Sequence, residues 1–110
     1  MSATQRKSAE AAAARRVWLS YDLGVGGPYR SLYEWLDAQG AKECGDSVAT
    51  FKTSLSLDSI GKEVKTVLGS HKGKIYLIDP KSGKGRFVTG RRGAAPWAGY
   101  AEVGDELEDE

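Results

Sequence analysis

Among the side chains able to do chemistry in this 110-residue chain, a cluster of bases stands out. Lys72, Lys74, Lys84, Arg86, Arg91 and Arg92, with Lys81 among them, crowd into the second half. Such a run can neutralise phosphates, which makes these residues candidate nucleic-acid contacts; a solvated lysine-rich face is the equal alternative. Cys44 is the one cysteine and His71 the one histidine. A lone cysteine excludes an intrachain disulfide and a structural zinc site of the several-cysteine type, and a free thiol suits a reducing compartment. His71 lies in Ser70-His71-Lys72-Gly73 between elements, where a solvated loop residue is expected, and nothing in the two contexts pairs it with Cys44. Gly24-Val25-Gly26-Gly27 lacks the Walker lysine and the full Gly-x-Gly-x-x-Gly spacing, so it reads as a turn and not as a phosphate cradle. Asp46 follows Gly45, and an aspartate in such a turn is expected to bond its own backbone.

Length and charge bound the scaffold that must hold these groups. One core fits 110 residues; two do not. Hydrophobic residues are 40% and charged residues 28%, the balance of a chain that folds. The net charge of +1 conceals polarised ends: Arg6, Lys7, Arg15 and Arg16 stand against Glu10 at the start, and the last nine residues hold six acids and no base. Residues 17–100 hold 12 bases and 8 acids. No apolar run approaches the roughly 18 residues of a membrane span and the N-terminus has no secretory stretch, so a cytoplasmic protein without a membrane partner is expected.

Periodicity then assigns the elements. Residues 1–16 are polar and alanine-rich without a wide apolar stripe, which predicts a flexible basic arm. Val17, Leu19, Tyr21 and Leu23 alternate with Trp18, Ser20 and Asp22, the period of a strand. Tyr29, Leu32, Tyr33 and Leu36 share one helix face that ends near Gly40, and Trp35 lies off that stripe, available to a partner. Two short strands around Gly45-Asp46 predict a hairpin. Ser56 then caps a helix carrying Ile60, Val64, Val67 and Leu68, stopped by Gly69. Residues 74–79 form an interior strand with apolar residues on both faces, and Arg86-Phe87-Val88-Thr89 a fifth strand. Residues 93–110 are a C-terminal extension in which Trp97 can dock back on the sheet before an acidic tail, a tail able to mask the basic face.

The order strand, helix, strand, strand, helix, strand is the split βαβ pattern. It predicts an α+β, ferredoxin-like domain over residues 17–92: an antiparallel four-stranded sheet with two helices on one face, plus an extra C-terminal strand. The uncovered face, with Trp18, Phe51 and Tyr76 as candidate contacts, predicts a homodimer.

Taken together, Leu19-Ser20-Tyr21-Asp22-Leu23, Tyr29 with Leu32-Tyr33 and Leu36, Cys44-Gly45-Asp46-Ser47-Val48 and Lys74-Ile75-Tyr76-Leu77-Ile78 resemble the Cas2/VapD-related superfamily, closest to its small SinR-like branch. The resemblance covers about residues 17–79. It implies a ferredoxin-like dimer acting on or near RNA or DNA, and either a metal-dependent endonuclease or a non-enzymatic toxin-antitoxin or defence-complex subunit with a protein partner. In the nucleases of that superfamily an aspartate ends the first strand and is the proposed Mg²⁺ ligand; Asp22 stands at that place and becomes the candidate catalytic and metal residue. The glycine run after it lacks the extra acids and bases often found there, and capping of the following loop is the alternative role for Asp22.

Overall fold

A computed structural model describes residues 14–101. The elements are β1 (Arg15–Asp22), α1 (Tyr29–Ala38), β2 (Lys42–Glu43), β3 (Val48–Thr53), α2 (Leu57–Leu68), β4 (Lys74–Asp79) and β5 (Lys84–Thr89). The five strands make one sheet in the order β2-β3-β1-β4-β5, antiparallel at every pairing. β1 is therefore central, and β4 is interior as its apolar residues on both faces required.

Alternation along the strands separates two faces. Val17 and Leu19 stand opposite Phe51 and Ala49 on β3, and Leu19 opposite Leu77 on β4. These residues are buried with Leu32 and Leu36 of α1 and Ile60, Val64 and Leu68 of α2 in one core, each of the larger side chains contributing about 1.5–3 kcal/mol on burial. The intervening positions, Trp18, Ser20 and Asp22 with Tyr76 and Ile78, form the other face, over which neither helix packs. Among the described residues no helix is long and apolar enough to cross a membrane.

The helix ends follow their sequence signals. Ser56 Oγ accepts the Ser59 N–H at 3.1 Å at the start of α2, and Asp58 complements the positive end. At the end of α1, Gly40 adopts φ 68°, Ala41 N–H reaches Leu36 O at 3.0 Å and Gly40 N–H reaches Asp37 O at 2.9 Å, the paired bonds of a Schellman motif.

Several expectations are corrected. β1 begins at Arg15, so Arg15 and Arg16 belong to the sheet and not to the arm; the rest of the arm, and the acidic tail from residue 102, lie outside the described residues. Phe51 faces the helices and is 1% exposed, so it cannot serve an intermolecular contact on the open face. Trp35 is half-buried, and its ring meets Phe51 edge-on at 5.5 Å while its Nε1–H donates to Glu63 at 3.2 Å. Trp97 is 72% exposed and does not dock on the sheet. In the β2–β3 turn Glu43 and not Asp46 makes the local bond, accepting the Gly45 N–H at 2.6 Å.

Candidate nucleic-acid interface

The end of β1 is held from three sides. Leu23 N–H donates to the Tyr29 hydroxyl at 3.2 Å, and His71 Nε2 donates to Leu23 O at 2.8 Å. His71 is thus half-buried and structural, more engaged than a solvated loop residue. Asp22 Oδ1 accepts the Gly24 N–H at 3.1 Å, the loop-capping role that its place before a glycine turn allows. Gly73 lets the strand entering β4 run against this corner, because a Cβ there would lie 2.9 Å from Asp22 O. Gly90, at φ 84°, lets the chain leaving β5 do the same over Lys74.

These close approaches bring bases to one place. Lys74 stands opposite Asp22 across β1 and β4. Lys72, Lys74 and Arg91 line a shallow groove with Asp22, and Lys74 and Arg92 line a second with Ser20, Asp22, Tyr76 and Phe87. Asp22 is the one acid on either lining. Arg92 is held by rings: its guanidinium carbon lies 5.6 Å from the Tyr76 ring centre and 5.8 Å from that of Phe87, and its Nη2 donates to the Tyr76 hydroxyl at 3.4 Å.

The six predicted bases therefore divide. Lys72, Lys74, Arg91 and Arg92 gather at the Asp22 end. Lys84, opposite Asp79, lies about 17 Å and Arg86, opposite Leu77, about 10 Å from Lys74 at 3.3 Å per residue along β4, toward the other end of the β4–β5 hairpin. Arg86 there approaches Asp58 at 3.6 Å. Beside it Asp79, 6% exposed, receives Arg15 Nε at 3.1 Å, while Arg15 Nη1 donates to Thr53 O at 2.9 Å and to Leu55 O. Burial alone would raise the Asp79 pKa, but the hydrogen bond and charge of Arg15 outweigh it and hold the carboxyl below its ordinary value.

Mg²⁺ takes oxygen ligands, several from the protein or its substrate. Among the described residues no group of three His, Cys, Asp or Glu side chains comes together. Asp22 is a single exposed carboxylate, already hydrogen-bonded to Gly24 and facing Lys74. One chain's residues do not fit a metal centre at this place. The neighbouring Tyr21 phenol points to the opposite face and is pushed up to about 12, by burial first and by its hydrogen bond with Tyr33, so it stays protonated at neutral pH.

Sequence reasoning missed Phe87 and Arg16. Phe87 keeps the regular hairpin register opposite Tyr76 and so lies on the open face, Val88 beside it turns into the core, and only beyond them does a bulge set Thr89 opposite Ile75. Tyr76 and Phe87 meet edge-on at 4.8 Å. Arg16, placed by sequence in the arm, donates to Thr50 Oγ1 at 3.1 Å. No family model, curated protein or solved structure matches the chain.

Proposed function

We propose that this chain is a ferredoxin-like, Cas2-like nucleic-acid-binding protein, and that its activity is binding and not phosphodiester hydrolysis. The strand order β2-β3-β1-β4 is the one a split βαβ unit produces, with β5 added beside β4, and it supports the ferredoxin-like reading. The observation that carries the functional reading is the gathering of Lys72, Lys74, Arg91 and Arg92 around the end of β1 with Asp22 as the single acid on the lining. A concentration of positive charge of this kind attracts phosphates and favours polyanions over neutral ligands.

The test is an electrophoretic mobility assay with labelled RNA and DNA in Mg²⁺, in Mn²⁺ and in EDTA. Retarded, intact strands in all three are expected. Metal-dependent cleavage that disappears in Asp22→Ala would overturn the choice of binding over hydrolysis.

A homodimer built across the open face is the second reading, favoured by Ile78, 40% exposed opposite Trp18. Sedimentation at micromolar concentration checks it by mass.

A further inference from the structure

The open sheet face carries rings as well as bases, and the pattern differs from a surface meant for another protein. Trp18 on β1, Tyr76 on β4 and Phe87 on β5 occupy three successive strands, with Trp18 one diagonal step from Tyr76. At about 4.8 Å per strand they form a strip roughly 10 Å across, room for about two bases. Each ring is half-buried, so each is anchored at its root and open above. Gly85 contributes by absence: a Cβ there would collide with the Tyr76 hydroxyl, so the glycine gives the ring room along the sheet.

Around the strip stand Arg16, Lys52, Lys74 and Arg92, against Asp22 as the acid of this face among the described residues. Arg16 is tethered to Thr50, whose own hydroxyl donates to Val17 O at 2.9 Å, so one base is held beside Trp18. A second copy laid across this face would set bases against bases. A polyanion with planar rings complements both features at once.

We propose that the ligand of this face is single-stranded nucleic acid, with unpaired bases stacking on Trp18 and the Tyr76–Phe87 pair while Arg16, Lys74 and Arg92 meet the flanking phosphates. The proposal rests on the nucleic-acid-binding reading above and narrows it to one strand form. A duplex hides its base faces and offers only phosphates here. Stacking on an aromatic side chain is tolerant of sequence, so binding is weakly selective for base identity.

Fluorescence anisotropy of the full chain at low salt tests it, with end-labelled strands about ten nucleotides long: an RNA, the DNA of the same sequence, the DNA duplex, and an abasic DNA strand of equal phosphate number. RNA or DNA single strands should bind about tenfold or more tighter than the abasic strand and the duplex. Trp18→Leu with Tyr76→Leu should bring single-strand affinity down to the abasic level. The wild-type comparison of normal with abasic strand decides the matter even where the double variant melts early. Equal affinity for all four ligands overturns the stacking proposal and leaves the phosphate reading standing, whereas no binding to any overturns both. A stable dimer that Ile78→Lys dissociates assigns the face to a second copy and overturns it as well.

Discussion

At the Asp79 end of β4 an arginine meets a buried carboxylate and two backbone carbonyls, while at the Lys74 end an arginine lies across two aromatic rings beside bases that share one exposed acid. The residue types are alike. What separates the ends is their surroundings. Arg15 bridges β1, β4 and the segment after β3, and Asp79 Oδ1 also accepts Lys81 N–H at 3.1 Å, which starts the turn into β5. Removing either partner leaves a polar group in the sheet without its counterpart. Arg92 closes no such network, so its removal costs the fold little and changes what the surface can hold. Arg15 and Asp79 thus belong to the fold, while Lys74, Arg91 and Arg92 are the side chains on which the proposed recognition rests.

The largest effect on stability is expected from Arg15→Ala, which should melt well below the parent chain, with a larger loss than any single base at the Asp22 end produces. Circular dichroism melts of Arg15→Ala and Arg92→Ala side by side check this; equal melting temperatures would erase the distinction between the ends. The same pair has a pH signature. Asp79 is held below its ordinary 3.8, so its contribution is complete above that value and is lost as pH falls through the lower folded-state pKa. Acid unfolding followed by tryptophan fluorescence should show a midpoint below that region for the parent, and Asp79→Asn should flatten this part of the profile.

A smaller effect is expected at the other acid. Asp22→Asn keeps an acceptor for the Gly24 N–H and removes a negative charge from the groove, so stability should move by less than about 1 kcal/mol. Nucleic-acid affinity should rise by a few-fold, read from the same titrations. Loss of affinity in Asp22→Asn would mean that the carboxylate itself takes part in holding the ligand.

How far the sequence carried this picture depends on the kind of signal. The helix over 57–68 was legible to its caps because Ser56 and Gly69 act locally and the stripe of Ile60, Val64 and Leu68 has a single period. β1 and β4 were legible through alternation and apolar content. Its start was not: Arg15 and Arg16 look like part of a basic arm until Thr53, Thr50 and Asp79 are brought beside them by pairing between distant segments. Phe87 was hidden for a similar reason, since Phe87 and Val88 are adjacent apolar residues and only the pairing with Tyr76 decides which of them faces the core. The bases were visible as a group, but their division between two ends depends on where Asp58 and Asp79 lie, which one-dimensional charge counting does not contain.

The smallest effect is expected where bases already face an acid. Arg86 and Asp58 are both exposed, and such a pair contributes about 0–1 kcal/mol. Lys84→Ala with Arg86→Ala should therefore melt within a few degrees of the parent.

The most direct measurement is the affinity for one labelled single strand across a salt series, made on the parent chain, on Lys74→Ala with Arg92→Ala, and on Lys84→Ala with Arg86→Ala. Each phosphate contact removed lowers the slope of log affinity against log salt by about 0.7 for a single strand. The account predicts that the Lys74 and Arg92 pair loses at least about tenfold in affinity at low salt and about 1.4 in slope, while the Lys84 and Arg86 pair changes affinity by less than about threefold with its slope retained. Equal losses from the two pairs, or a larger loss at the Lys84 and Arg86 end, would contradict it.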